Sequence, residues 1–462
     1  MAANLILITP SLAWEKEQKR RRAMRVEPDI ANQEIPHVGI ASLAAVAKQH
    51  GIHFRILDMV TDGLSIDDVV AIVAKERPLL VGLSAFTTQI KAAAAVAEAI
   101  HRVVDDVAIG IGGPHAIAMP GKTLAEFPVF DFAACGEGEL LLPLLMERLD
   151  HRHSLEGLPG VVTRKTPVRT PALLTDLETM PFPAWSEFNL AKFGGVYPHR
   201  TRLELPLSTG RGCPYRCSFC ARALGDTNRR RSVASVIAEI EHNVEAYGCE
   251  SIAFLDETFI LSKRWTEEFL TVMRRRGLHQ KITWSCSTRV TGVSPPLFQE
   301  LRQAGCYYIF FGMESADDQT LKRIHKNIKV RDIKSAVHGA KLAGIVPVGA
   351  FIIGLPGERE EDVLLAINLA EELDLYSVTF PIAVPFPGTE LREMALRGEY
   401  GLRIISHDWN DYGKQGVGVL DSEGFPWEQR KSMQRLAYER HPKKRMDDYL
   451  SRLRNYGGEI CQ

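Results

Sequence analysis

The chain has 462 residues, 45% of them hydrophobic and 24% charged, enough to bury more than one core, so two or three domains are expected. Its 56 Lys and Arg against 57 Asp and Glu leave a formal charge of -1, which excludes a general attraction to nucleic acid or to an acidic membrane surface. There is no basic leader, the first apolar run is too short to span a membrane, and Cys135, Cys249, Cys286, Cys306 and Cys461 are scattered as in a reducing compartment, so a cytoplasmic protein is expected.

Apolar runs at 5–9, 54–58, 79–84, 107–111 and 130–134 alternate with helical patterns, notably 38–49 and 88–104. Such units predict an α/β fold, a doubly wound, Rossmann-like or flavodoxin-like parallel sheet over residues 1–150. Ligands of that architecture bind beyond the carboxyl ends of the strands. The sequence places Thr9 and Pro10 there, then Ser84, Ala85 and Phe86, then Gly112, Gly113, Pro114 and His115, then Gly136, Glu137, Gly138 and Glu139. Small residues at these ends leave room for a large flat ligand, although any one group also reads as ordinary turn punctuation. The stretch 11–34 carries Lys16, Lys19, Arg20, Arg21, Arg22 and Arg25. Such a charge run is usually a solvated loop, and its position would also let it cover a bound ligand.

Residues 151–200 read as a connector, because Pro159, Pro167, Pro171, Pro181 and Pro183 break any long helix. Strand signals resume at 203–209, 251–256, 282–286, 307–312, 346–353 and 376–382, separated by helical patterns such as 233–247, 262–276 and 360–373. Six such units make a partial (β/α)6 barrel over 201–390, whose active-site residues belong at the carboxyl ends of the strands. Residues 391–462 form a small C-terminal domain with Trp409, Tyr412, Trp427 and a basic helical stretch at 429–454. It is expected to close the open side of the barrel, with its aromatics in a core and its basic face solvated.

After the first barrel strand stands Gly212-Cys213-Pro214-Tyr215-Arg216-Cys217-Ser218-Phe219-Cys220, three thiols spaced C-x3-C-x2-C. Three thiolates in one tight loop can hold three corners of a 4Fe-4S cluster and leave the fourth iron open to a ligand that is not protein. A structural zinc site would want a fourth protein ligand, and no Cys or His lies within ten residues downstream.

This loop, with Phe219 before its third cysteine, resembles the radical S-adenosylmethionine superfamily. In that superfamily the open iron chelates S-adenosylmethionine, and one electron from the cluster releases a 5'-deoxyadenosyl radical. The resemblance implies that Cys213, Cys217 and Cys220 hold the cluster and that Phe219 sits against adenine. It places Asp256 and Glu257 near the amino group of S-adenosylmethionine, although the usual Gly-Gly-Glu is absent. Arg289 is expected to pair with the carboxylate, Glu314 to accept the ribose hydroxyls, and Ile352 and Gly354 to pack against adenine. Taken singly, each carboxylate also fits a strand end or a helix cap.

The N-terminal loops, above all Gly-Gly-Pro-His followed by Cys-Gly-Glu-Gly-Glu, resemble the cobalamin-binding domain of cobalamin-dependent radical S-adenosylmethionine enzymes. Met180-Pro181-Phe182-Pro183-Ala184-Trp185 resembles that family's lead-in to the radical domain. The implied cobalamin site comprises Thr9, Pro10, Ser84, Ala85, Phe86, Gly112, Gly113, Pro114, His115, Gly136 and Glu137. The Asp-x-His-x-x-Gly motif is missing, so base-off cobalamin without a protein histidine on cobalt is expected, with His115 a loop residue. The implied activity is C-methylation at an unactivated carbon of a small molecule or natural product, with methylcobalamin as methyl donor and an external flavodoxin- or ferredoxin-type electron donor. Relatives use the same machinery to close or rearrange rings, and a non-catalytic iron-sulfur sensor is the reading from another class. No second trio of cysteines supports a methylthiotransferase.

Overall fold

In a computed structural model of the chain, residues 3–11, 36–166, 171–193, 203–413, 418–442 and 444–456 are described. The basic stretch therefore lies outside the described residues, except for Ser11, as does Cys461.

The N-terminal alternation is the one the apolar periodicity predicts. It runs β1 (Leu5–Thr9), α1 (Val38–Gln49), β2 (Phe54–Asp58), α2 (Ile66–Glu76), β3 (Leu80–Ser84), α3 (Ile90–His101), β4 (Ala108–Gly112), α4 (Pro114–Ala118), α5 (Pro120–Glu126), β5 (Phe132–Ala134) and α6 (Gly138–Asp150). These strands are parallel in the order β2-β1-β3-β4-β5. The chain starts inside the sheet, steps outward to β2 and returns past β1 to β3, so connections leave to opposite faces and open a crevice at the carboxyl ends. Local chemistry agrees with the topology: Ser65 and Asp68 form a reciprocal capping box at the start of α2, and Arg77 ends it in the left-handed conformation.

A strand absent from the sequence pattern, β6 (Val161–Val162), pairs antiparallel to β5. Two residues are too few to show a period. Farther along the same segment Ala172 bridges to Gly136, so part of the expected connector belongs structurally to the first sheet. Trp185 is fully buried and, with Ala41 of α1, joins the core of the second unit. The Ala184 N–H donates to the Ala41 carbonyl at 3.0 Å.

The second unit comprises β7 (Glu204–Leu207), a hairpin of β8 (Gly210–Arg211) and β9 (Arg229–Arg230), α7 (Val233–Tyr247), β10 (Ser251–Phe254), α8 (Lys263–Arg275), α9 (Leu278–Lys281), β11 (Thr283–Thr288), α10 (Pro295–Gln303), β12 (Cys306–Glu314), α11 (Asp318–Arg323), α12 (Val330–Leu342), β13 (Val346–Phe351), α13 (Glu360–Leu373) and β14 (Ser377–Thr379). Six strands, all parallel, lie in the order β14-β13-β12-β11-β10-β7. Their order is the open, partial barrel expected, with every carboxyl end on one rim.

The tail forms α14 (Glu390–Leu396), an antiparallel pair β15 (Leu402–Ile404) and β16 (Leu420–Ser422), α15 (Trp427–Arg440) and α16 (Met446–Asn455). The single basic helix expected at 429–454 is thus two helices, parted at His441-Pro442 because proline cannot continue the first. α15 covers the β14 side of the barrel: Gln434 Nε2 donates to the Phe380 carbonyl at 2.8 Å, and the Phe380 N–H donates to Tyr438 Oη at 3.2 Å. Trp409 and Tyr412 instead join the core of the N-terminal unit, with the His115 ring 5.0 Å from that of Trp409 and Trp409 Nε1 donating to Glu126 at 2.7 Å. The tail therefore straps the two units together. Among the described residues no helix is long and apolar enough to cross a membrane.

Candidate active site

A cavity of about 570 Å³ lies between the strand ends of the two units. One wall is Ser84 and Phe86 after β3 with Gly112, Gly113 and Pro114 after β4; the other is Arg211, Cys213, Cys220, Ala221, Leu255 and Glu257. It continues as an apolar slot along the first sheet, past Leu7, Leu80, Gly82, Gly110 and Phe132 and under Leu43, Leu141 and Leu145 of α1 and α6. Glycine is required at the turn after β4: Gly113 has φ 89°, and a Cβ there would lie 2.8 Å from the backbone of Ala85.

Several residues assigned to cobalamin from sequence do not face this space. Thr9 and Pro10 are buried outside the lining, Thr9 accepting the Met59 N–H, and Ala85 is buried beneath the loop with its N–H on Gly112. His115 is turned away altogether. Its ring stands edge-on to Trp409 with centroids 5.0 Å apart, and Nδ1 is 3.3 Å from Thr87 Oγ1. Burial first, then the nearby cations Arg392 and Lys122, lower its pKa to about 4. The histidine that does line the cavity is His37, which the sequence reading passed over. Its Nδ1 accepts the Ile40 N–H at 3.2 Å as the N-cap of α1, and the only available signal was its place just before the helix.

Gly136 and Glu137 line the cavity, but the Glu137 side chain is spent on Arg211 and Arg229. The cysteine loop grows from these arginines. Gly212 has φ 86°, the Cys213 N–H donates to Gly225 at 3.3 Å, and the Cys220 N–H donates to Cys217 at 3.1 Å. Ser218 anchors the loop on both sides, its N–H on Ile324 at 3.0 Å and its carbonyl accepting from Leu391 at 2.8 Å. All three thiols are free of disulfides. Burial, and then repulsion from Cys217 and Cys213, pushes the Cys220 thiol up to about 11, so the three sulfurs feel one another. A bound metal reverses that order by deprotonating its thiols, and three soft ligands on one short loop fit an iron-sulfur cluster. Among the described residues no three His, Cys, Asp or Glu side chains close around a single ion.

The strand-end residues divide into two sets. Phe219 and Ile352 pack against the same hydrophobic group of Ala383, Leu391 and Met394. Glu257 lines the cavity, and burial raises its carboxyl. Asp256 is committed elsewhere: its oxygens accept from the Thr209 N–H at 3.0 Å and Thr209 Oγ1 at 2.6 Å, with Arg230 at 3.6 Å. Arg289 is likewise engaged, 3.9 Å over the ring of Tyr215, with Nη1 3.7 Å from Cys217 Sγ and Nη2 donating to the Lys326 carbonyl. It braces the cysteine loop, while its buried Nε has no partner among the described residues.

Glu314, at φ 69°, is buried, with Oε1 2.7 Å from Lys326 Nζ. Lys326 was missed, for nothing in the neighbouring residues marks it; in the fold His325 and Asn327 on either side are left-handed, at φ 55° and 53°. Gly354, at φ 83°, has its Cβ space filled by Arg430, whose Nη1 would lie 2.6 Å from that carbon. On that side of the glycine the close neighbour is Arg430. Arg430, fully buried rather than solvated, donates to the carbonyls of Phe425, Gly354 and Leu420 and to Ser422 Oγ. Beneath it Glu358 accepts the Gly354 N–H at 2.6 Å, and burial pushes its carboxyl up to about 8.

Residues 30–146 match the B12-binding domain family and residues 207–370 the Radical SAM superfamily. An uncharacterized methyltransferase of Pyrococcus horikoshii is 32% identical over 414 residues, 87% of each chain. The cytidylyl-2-hydroxyethylphosphonate methyltransferase of Streptomyces wedmorensis is 26% identical over 419 residues, 78% of each chain. The anaerobic magnesium-protoporphyrin IX monomethyl ester cyclase of Cereibacter sphaeroides is 28% identical over 369 residues, 77% of this chain and 60% of the cyclase. Among solved structures, the radical S-adenosylmethionine methyltransferase TsrM of Kitasatospora setae, with cobalamin and a [4Fe-4S] cluster bound, superposes with a TM-score of 0.68 at 19% identity, covering 94% of this chain and 82% of TsrM.

Proposed function

The chain belongs to the cobalamin-dependent radical S-adenosylmethionine enzyme family, and from that premise we propose that it is a C-methyltransferase acting at an unactivated carbon of a small molecule or natural product. The observation that carries this reading is the single cavity walled by the Ser84 and Gly112–Pro114 loops on one side and by Cys213, Cys220 and Glu257 on the other. When bound, the cluster and S-adenosylmethionine supply a hydrogen-abstracting radical, and cobalamin supplies the methyl group.

The chain's own residues would serve as follows. Cys213, Cys217 and Cys220 hold the cluster, with Arg289 bracing their loop. Phe219 and Ile352 pack against adenine, Glu257 meets the amino group, and Glu314, oriented by Lys326, accepts from the ribose. Ser84, Phe86, Gly112, Gly113 and Pro114 cradle the corrin. The slot past Gly82 and Gly110 suits the tail of base-off cobalamin, and His115, which faces Trp409 and is absent from the cavity lining, is not placed to offer cobalt a ring nitrogen. Apolar walls keep water from a reactive radical. The electron for the cluster is expected from an external flavodoxin- or ferredoxin-type donor. The near-neutral charge and the scattered placing of the cysteines along the chain support a cytoplasmic enzyme without a nucleic-acid partner.

Ring closure is the second reading, favoured by the cyclase relative. Anaerobic reconstitution and counting of products separates the two. Methylation yields S-adenosylhomocysteine alongside 5'-deoxyadenosine, whereas cyclisation yields 5'-deoxyadenosine alone.

A further inference from the structure

Four charged side chains join the two walls of the cavity. Glu137 and Glu139 stand at the start of α6 in the N-terminal unit, where negative charge suits a helix N-terminus. Arg211 and Arg229 stand on β8 and β9, the paired base from which the cysteine loop projects. Glu137 Oε1 is 2.9 Å from Arg211 Nη1, Glu137 Oε2 is 2.5 Å from Arg229 Nη1, and Glu139 Oε1 is 2.6 Å from Arg211 Nη2. The Glu137 side chain is 1% exposed and its two arginines 13% and 14%. The bridge reaches further on each side. Leu174 donates its N–H to Glu137 Oε2 at 2.5 Å, and Arg229 Nη2 donates to the Leu224 carbonyl, inside the cysteine loop, at 2.7 Å.

Position in the chain gives this cluster its meaning. Glu137 directly follows Gly136, a lining residue of the cobalamin side, whose φ of 130° is held by Ala172. Arg211 directly precedes Gly212 and Cys213. Two carboxylates and two guanidiniums cancel in charge. Such a buried pair is a poor source of stability compared with apolar packing, but the planar guanidinium fork fixes direction as well as distance. We propose that Glu137, Glu139, Arg211 and Arg229 are positioning residues that set the spacing between the cobalamin cradle and the cluster loop, so that the substrate radical meets its methyl donor. This rests on the assignment of the two cofactors to the two walls.

The test uses the reconstituted holoenzyme and its Glu137→Gln and Arg211→Lys variants. Pulsed electron paramagnetic resonance of the cobalt(II) and reduced-cluster spins reports their separation directly. Both variants should load cobalamin and cluster as the parent does, yet show a shifted or broadened cobalt-to-cluster distance. Because a misplacement of about 1 Å can cost about a hundredfold in rate, methylated product per 5'-deoxyadenosine should fall about tenfold or more, while 5'-deoxyadenosine still forms. In the apoprotein, proteolytic nicking within 212–228 should quicken. Should Glu137→Gln not fold, Glu139→Gln, which removes one edge of the bridge, should show the same changes at smaller size. Parental distance and parental product ratio in the folded variants would overturn the proposal. A parent with both cofactors loaded but no spin coupling would instead overturn the assignment of the two walls.

Discussion

Exchanging Glu314 for Gln removes the charge that holds Lys326 while keeping the size of the side chain. Oε1 lies 2.7 Å from Lys326 Nζ, and the two side chains are 8% and 7% exposed. Breaking such a buried pair outright costs about 3–5 kcal/mol, because an unpaired charge is left behind. The amide oxygen of Gln still accepts from the ammonium, so about 2 kcal/mol of stability is the expected loss. The same exchange weakens the hydrogen bonds offered to the ribose hydroxyls. A charge-assisted hydrogen bond is worth about 1.5–3 kcal/mol, so affinity for S-adenosylmethionine should fall about ten- to a hundredfold. Lys326→Met separates the two effects, since it keeps the carboxylate but removes the group that orients it. The pair are in contact, so the double variant should lose less than the sum of the single losses. The assay is calorimetric titration of S-adenosylmethionine into reconstituted protein, with cluster absorbance measured in each sample. Parental affinity in Glu314→Gln with a full cluster would refute the reasoning and make Glu314 a structural carboxylate.

Alanine at Cys213, Cys217 or Cys220 should abolish 4Fe-4S absorbance and cleavage of S-adenosylmethionine, while Cys249→Ala, a buried thiol on the barrel, should keep both; absorbance and 5'-deoxyadenosine formation check this. Cobalamin should bind base-off, so the cobalt(II) electron paramagnetic resonance spectrum should lack splitting from an axial nitrogen in the parent and in His115→Ala alike. His115 stays neutral in the fold to about pH 4 but takes a proton near pH 6.5 when unfolded. Stability is therefore full above pH 6.5 and declines as pH falls toward 4, by at most about 3 kcal/mol, and urea melts of His115→Asn across that window should show a flatter profile. Arg430→Met strands the buried carbonyls of Phe425, Gly354 and Leu420, each worth about 1–3 kcal/mol when unpaired, so Tm should drop and affinity for S-adenosylmethionine should weaken; an unchanged Tm would disprove the inward anchoring of α15.

The positions of both parallel sheets were legible in the residues, because long apolar runs at a strand or helix period report the face that must be buried whatever lies opposite it. The C-x3-C-x2-C loop stood out because three thiols on one short loop make a compact set of soft ligands. What the chain order did not carry was the direction of polar side chains at the strand ends. Asp256 and Glu257 are adjacent, and one is spent on Thr209 while the other lines the cavity. Arg289, read as a ligand for a carboxylate, found Tyr215 and the cysteine loop first. Partners of the candidate site residues lie far along the chain: Lys326 is 12 residues from Glu314, Arg430 is 76 from Gly354, and Arg211 and Arg229 are 74 and 92 from Glu137. A buried charge or glycine notch is satisfied by whatever group the packing of distant elements delivers to it, and that delivery has no local period. Only the assembled fold could decide which carboxylates hold the protein together and which are left to hold a ligand.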